Sequence, residues 1–394
     1  MPATVERIWE GDPAAMGGRR ARASFRYHAF VPDPIADIEP VVPFETASAV
    51  TGAEAATREL NERTSARGLE TIGPLLLRSE AIASSRIEGY EVSPLNLARA
   101  LIDPRAARGA AKVVAANVSA MEEAVAIGTR RTRITIQDVL AIHGTLMAAD
   151  DRAMPGRLRE QQNWIGGRLN NPSDARYVPP PEDRVPELMA DLVEFINRED
   201  LPAVAQAAIA HAQFETIHPF IDGNGRVGRC LIHILLRRRD VAPRFVPPVS
   251  IVLAARPSAY IEGLVGYRDG LVAEWIGSFA AAAEMAAVAS VELAEQVAAL
   301  QQEWRARAGR PRAGSAAAKL IALLPALPVL SAPTARAAIG VSQQQTLAAL
   351  KDLAASGVIS QISAGSYDRQ YAATELFDLV SAYEDRLALI ESAR

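Results

Sequence analysis

Apolar residues recur at three- and four-residue intervals along most of the chain, the spacing that gives an α-helix one buried face. The pattern predicts helices over residues 48–63, 68–88, 110–127, 134–149, 185–197, 203–217 and 226–239. Two short helices are expected within 257–279, and a long helical pattern runs over 274–307. The 68–88 segment carries Leu75, Leu76, Ile82 and Ile87 and meets Gly89 where helices commonly stop. Thr135 and Asp138 have the spacing of a capping box with Asp in the place of Glu.

The helical period fails in three places. Residues 1–45 mix Gly, Pro, Arg and Asp and are expected to form an arm or a loosely docked segment. Residues 164–178 hold two short extended runs about an Asn170-Asn171-Pro172-Ser173 turn and end at Pro179, Pro180 and Pro181, which predicts a small β-hairpin. Residues 305–315 lose periodicity, gain Arg, Gly and Pro, and read as a linker. Beyond it, residues 316–394 have the outline of a small winged helix-turn-helix. One helix begins at Lys319, a second is closed by Gly340 and a third is capped by Ser342; a hairpin wing has Gly365-Ser366 at its tip, and a terminal helix starts at Thr374. The expected division is an arm (1–47), a helical region (48–133), a helical core (134–304), the linker (305–315) and a winged-helix-like domain (316–394).

Composition narrows the function classes. Alanine is abundant and aromatics make up only 5% of the 394 residues, which favours a mainly α protein. Charged residues balance to a formal net charge of −4, so any basic site must be local rather than a general nucleic-acid surface. The single cysteine, Cys230, allows no intrachain disulfide, which suits the cytoplasm. The early residues lack an apolar core of signal-peptide length, and no uninterrupted apolar run is expected to span a bilayer. The alanine-rich stretch 279–291 is broken by Glu284 and reads as a packed helix.

The chemistry is concentrated between His218 and Arg229, which read HPFIDGNGRVGR. His218 closes one predicted helix, and Gly223-Asn224-Gly225 opens the next. A helix start presents main-chain N–H groups and partial positive charge, and glycines let a phosphate approach it closely. Arg226 and Arg229 are three residues apart and point the same way, as neighbouring phosphates of one chain require. Asp222 stands where it can hold Mg²⁺, and His218 can accept a proton near neutral pH. Together these residues describe transfer of a phosphate-linked group to a hydroxyl. His28, His143, His211 and His233 lack such neighbours and are read as structural.

At all eight specified positions this string resembles the Fic motif, His-x-Phe-x-Asp/Glu-Gly-Asn-Gly-Arg-x-x-Arg. The resemblance covers roughly residues 48–300 and implies a Fic-type helical bundle with a β-hairpin flap, 134–304 being its catalytic core. It implies a protein adenylyltransferase that moves AMP from ATP to a Ser, Thr or Tyr hydroxyl. His218 would be the base and Asp222 the Mg²⁺ ligand. Gly223, Asn224 and Gly225 would line the anion hole, Arg226 and Arg229 would hold the outer phosphates, and Phe220 would anchor the loop. The intact Gly-Asn-Gly favours AMP transfer over the phosphate transfer of the Doc branch. Transfer of UMP or phosphocholine stays open, as does a winged-helix regulator whose Fic domain only senses nucleotide.

A second string, Ser84-Ser85-Arg86-Ile87-Glu88-Gly89, resembles the inhibitory signature of this family, Ser/Thr-x-x-x-Glu-Gly/Asn. Glu88 ends a predicted helix, where a negative charge opposes the dipole and calls for a cation. The resemblance implies that Ser84, Glu88 and Gly89 belong to a helix that keeps the enzyme autoinhibited, with Glu88 pairing to Arg229. In some relatives the same glutamate assists removal of AMP. The hairpin would be the flap on which a target protein docks as an added strand. Around the adenine end the chain departs from the common pattern: Tyr260, Tyr267 and Arg268 replace an Asn-Arg pair followed by Tyr-Tyr, while Trp275 fits. Partner options include self-modification, a homodimer and DNA. In residues 316–394, six Lys/Arg face seven Asp/Glu, which favours protein docking or dimerisation over DNA, although Gln343, Gln344 and Gln345 could read bases.

Overall fold

A computed structural model describes residues 2–11, 22–66, 70–167, 171–363 and 369–392. Gly68, Asn170 and the Gly365-Ser366 wing tip, each of which figures in an expectation above, lie outside the described residues. The chain opens with β1 (Ala3–Trp9) and β2 (Phe25–Val31), followed by α1 (Phe44–Ala66), α2 (Gly73–Ile87), α3 (Pro94–Ile102), α4 (Gly109–Thr129) and α5 (Ile136–Met147). Next come α6 (Val185–Ile196), α7 (Ala203–Ile217), α8 (Asn224–Arg238), α9 (Val249–Ala255), α10 (Pro257–Arg268) and α11 (Val272–Arg307). The C-terminal part contains α12 (Ala316–Leu323), β3 (Val329–Ser331), α13 (Ala332–Ile339), α14 (Gln343–Ala355), β4 (Ser360–Gln361), β5 (Gln370–Ala372) and α15 (Thr374–Ser392). The molecule is mainly α, as its composition and periodicity require.

Contacts divide the chain into two compact units, one of Met1–Val50, Glu123–Arg239 and Ile261–Phe279, the other of Thr51–Glu122, Asp240–Tyr260 and Ala280–Arg394. In the first unit α7 is the central helix: every residue but Glu215 is buried. A helix apolar on all sides belongs in a core, and its buried polar side chains are bonded there. Gln206 donates to the carbonyls of Phe195, Ile196 and Arg198 at the end of α6, while Gln213 donates to Asp33 O and accepts from Tyr267 Oη. Val227, Leu231, Ile234 and Leu235 of α8 are fully buried, and each such side chain stabilises the fold by about 1.5–3 kcal/mol relative to exposure.

The expected N-terminal arm is instead an antiparallel hairpin, with β1 and β2 in register from Ala3 opposite Val31 to Trp9 opposite Phe25. The two-residue alternation of Phe25, Tyr27, Ala29 and Val31, all more buried than the Arg26 and His28 between them, is the strand signal that a helical period hides. Among the described residues, the predicted 164–178 hairpin shows one antiparallel bridge, Ile165 to Tyr177. Gly166 and Gly167 take positive φ and Pro172 starts a single 3-10 turn, so among the described residues neither run continues as a strand.

In the second unit, α2 ends at the predicted place. Gly89 adopts φ 83; its N–H donates to Arg86 O, and the Tyr90 N–H donates to Ser85 O, the pair of bonds of a Schellman closure. Two helices escape the sequence reading: α3, capped by Ser93, and α9. After α11 the order is helix, strand, helix, helix, strand, strand, with the sheet in the order β3-β5-β4. Half-buried Arg78 of α2 donates to Pro325 O and Ala326 O, and Arg86 pairs with Glu384 of α15. Among the described residues, α11 is long and apolar enough to cross a membrane, yet 61% of its most apolar stretch is buried, as in a core helix.

Candidate active site

The candidate site forms where α7 ends and α8 begins. His218 is the C-cap of α7, with its N–H bonded to Phe214 O (2.9 Å) and its backbone in the left-handed region, φ 51 and ψ 60. Pro219 has no N–H and cannot extend the helix. The chain turns back at Gly223, the N-cap of α8, with φ 81. A Cβ there would lie 3.1 Å from Met147 Sδ and 3.2 Å from Leu146 Cδ2, so glycine is needed for both conformation and space. The first helical bond of α8 runs from Val227 N to Gly223 O (3.0 Å). The N–H groups of Asn224, Gly225 and Arg226 therefore stand ahead of the ladder, at the positive end of the helix.

The intervening loop is held from several sides. The Phe220 N–H donates to Asn224 Oδ1 and Asn224 Nδ2 donates to Phe220 O, both at 2.8 Å. The Asn224 side chain is thus spent on closing the loop, and only its main chain is available to an anion. Phe220 is fully buried, with its ring stacked on His143 at 3.7 Å. The Gly156 N–H donates to His143 Nδ1, which leaves Nε2 to carry the proton and bond Asp222 O at 3.1 Å. Burial pushes the His143 pKa down to about 4, so the ring stays neutral and works as a clamp.

Asp222 has a half-exposed carboxylate whose Oδ1 accepts from the Gly223 N–H (2.6 Å) and lies 3.6 Å from the Arg226 guanidinium. One accessible carboxylate beside an anion cradle is the donor set Mg²⁺ takes when phosphate oxygens complete its shell, so the residues present fit that ion. Arg226 and Arg229 are both buried, and Arg226 also reaches Met147 Sδ. Burial and then the Arg229 charge hold the His211 imidazole down to about 3. His211 is a neutral core residue, as its neighbours in the sequence imply.

The expected site residues from His218 to Arg229 therefore share one helix-loop-helix corner. Tyr267 and Trp275, expected from the sequence to lie near an adenine, are buried and committed to the core: Tyr267 Oη donates to Gln213 and Trp275 Nε1 to Ala208 O. In the second unit, Ser84 is fully buried, whereas Glu88 caps α2 and is exposed.

Periodicity gave no signal for four residues that shape this corner: His143, Arg159, Asn163 and Gly228. Arg159 is buried and donates to His218 O (2.9 Å), while Asn163 donates to Phe220 O (2.8 Å). A glycine in mid-helix was the available clue for Gly228. A Cβ there would sit 3.0 Å from Phe214 Cδ1 and 2.6 Å from Glu215 Oε1, so α7 and α8 meet across it. Gly228→Ala is expected to destabilise the protein by about 1–3 kcal/mol through overpacking. A denaturant melt in which this variant matches the parent would show that the two helices have room to spare.

Residues 161–164, 166 and 167, at the entry to the flap, and Ile221 line a cavity of about 300 Å³ beside the loop. The Phe30 N–H donates to Val178 O (2.9 Å) and Trp9 packs edge-on to Trp164, so the N-terminal hairpin braces the flap.

The sequence model of the Fic/DOC family matches residues 133–236, which contain this whole corner. The chain carries a Fic/DOC domain. Similar proteins include protein adenylyltransferase fic-1 of Caenorhabditis elegans, 32% identical over 117 residues that cover 29% of this chain and 21% of that protein. The protein adenylyltransferase Fic of Drosophila willistoni is 35% identical over 121 residues, 30% of this chain and 22% of that protein. The Fic-domain chain thus spans about a fifth of the length of these curated relatives. The crystal structure of a Fic family protein from Desulfovibrio desulfuricans G20 shares the fold, with a TM-score of 0.50 and 24% identity over 85% of this chain and 97% of that one.

Proposed function

We propose that this Fic-domain chain is a protein adenylyltransferase that transfers AMP from ATP to a Ser, Thr or Tyr hydroxyl of a protein. The observation that carries the reading is the corner itself: a histidine at the end of α7 and the start of α8 are joined by one short loop with an accessible carboxylate, and α8 carries two buried arginines. His218 removes the proton of the incoming hydroxyl. The N–H groups at the start of α8 take the charge that develops on the α-phosphate, where preorganised donors act most strongly. Arg226 and Arg229 hold the outer phosphates as pyrophosphate leaves. Asp222 would hold Mg²⁺, which supplies charge neutralisation between the phosphates. The cavity beside the flap is where the target segment would lie, and the chain itself is a candidate target. The cytoplasm suits such a reaction because it supplies ATP.

Regulation by Glu88 is part of the proposal and rests on the Ser84-to-Gly89 signature. Glu88 would take Arg229 in place of the nucleotide and keep the site idle. Glu88→Gly is then expected to raise self-labelling from α-labelled ATP by roughly 5–150-fold, the range of ordinary coupling free energies. Equal or weaker labelling in the variant removes Glu88 from the account. The same glutamate could assist AMP removal, which loss of label from pre-modified protein would reveal.

The C-terminal elements from α12 to β5 follow a winged-helix order, and we assign them to protein docking or self-association in preference to DNA. Six Lys/Arg against seven Asp/Glu give no net phosphate attraction. Gln345 accepts from the Ser342 N–H and hydroxyl in a capping box and has little left for a base.

A further inference from the structure

We propose that Arg159 is a positioning residue for His218 and that it ties the flap to the base. The inference rests on the adenylyltransferase reading above and names a residue outside the Fic motif. Arg159 is 2% exposed, and its guanidinium is shared among four carbonyls. Nε donates to His218 O (2.9 Å), Nη1 to Gln161 O (3.1 Å), and Nη2 to Pro180 O (2.5 Å) and Ile217 O (3.5 Å). Its main-chain N–H adds a bond to Pro219 O (2.9 Å). One side chain thereby joins the end of α7, the peptide that follows His218, and both ends of the flap segment.

The reason such a residue is needed lies in the backbone. His218 sits at φ 51, a conformation that non-glycine residues keep only where the surroundings impose it. Fixing its carbonyl fixes the orientation of the 218–219 peptide and hence the direction in which the imidazole leaves the chain. Asn163 touches the same peptide more weakly: its Nδ2 lies 3.5 Å from His218 O and donates to Phe220 O (2.8 Å), two peptides further along the loop. Burial lowers the Arg159 pKa to about 10, so the group is still a cation at neutral pH and its bonds remain charge-assisted. A planar fork can serve carbonyls in several directions at once, which the ammonium of lysine cannot match. Because Gln161 and Pro180 flank the flap, a target segment that shifts the flap also presses on the peptide that aims the base.

The test uses the full chain with Glu88→Gly as parent and compares Arg159→Gln, Arg159→Lys and Asn163→Ala. Misplacing a reacting group by about 1 Å costs on the order of 100-fold, so kcat for transfer of α-labelled AMP is expected to fall roughly 10–100-fold in Arg159→Gln. KM for ATP should stay within about threefold, since the phosphate groups are held elsewhere. Arg159→Lys should recover part of the loss. Asn163→Ala combined with Arg159→Gln should lose less than the product of the single effects, because both act through one peptide. Unchanged kcat in folded Arg159→Gln, or equal losses of kcat and ATP affinity, overturns the assignment. If Arg159→Gln does not fold, Asn163→Ala decides: a kcat loss at constant KM supports the assignment, and an unchanged kcat removes it. Imidazole NMR keeps this test separate from the reaction: His218 ring signals should move in Arg159→Gln while those of His233 stay. A parent that transfers no AMP contradicts the proposed function, whereas static His218 signals contradict the positioning role.

Discussion

His218→Ala is expected to lower AMP transfer roughly 10²–10⁴-fold, the range a positioned general base supplies, with ATP affinity changed by no more than a few-fold. The imidazole stands alone in this role within the corner. His143 is clamped between Gly156 N and Asp222 O with a pKa of about 4, and His211 is buried and held near 3, so neither is free to take a proton from an incoming hydroxyl. His218 is only partly buried and caps the helix end that the loop joins to the start of α8. The variant removes a side chain from a loop that Asn224, Asn163 and Arg159 hold by its main chain, so the fold should persist. Steady-state kinetics with an excess of target reports the effect. A loss of less than about tenfold in a protein that still binds ATP would assign the base to another group.

Arg229→Ala is the second large effect, expected to cost roughly 10²–10³ in kcat, as removal of one preorganised charge donor does. Arg229 is fully buried on the same helix as Arg226, and its charge helps to keep His211 neutral. A buried guanidinium holds its place without reorganising at the moment of reaction, which is why its loss should appear in kcat as well as in ATP binding. Arg229→Lys separates charge from geometry, since it keeps the cation and loses the fork; an intermediate rate is expected. Thermal melting of both variants shows whether packing has been lost as well. Transfer within tenfold of the parent in a folded Arg229→Ala protein would remove the outer-phosphate role.

What could be read from the sequence follows from the range of the interactions involved. The catalytic corner is local: His218 to Arg229 is twelve residues, and the helix end, turn and helix start are each written in them. Helices with a wet side, such as α5 with its Thr135–Asp138 capping box, were legible for the same reason. Contacts that close over long separations were not. Arg159 reaches its carbonyls 21 and 59 residues away, and no local period announces that. The β1–β2 hairpin was hidden because its second strand follows its first only after 15 intervening residues, and short strands compete poorly with a helical reading of the whole chain. The flap misled in the opposite direction: extended-looking residues were present, but Gly166, Gly167 and Pro172 leave one bridge among the described residues. Asn224 shows the limit within the motif itself, since its amide serves the loop and not the anion.

The central claim is that the group moved is AMP, and parallel labelling measures it directly. The Glu88→Gly protein is incubated with Mg²⁺ and either α-labelled or γ-labelled ATP, beside a His218→Ala, Glu88→Gly control. Protein-bound label is expected from the α-position alone, and none above background in the control. Label carried from the γ-position would show phosphate transfer and contradict it.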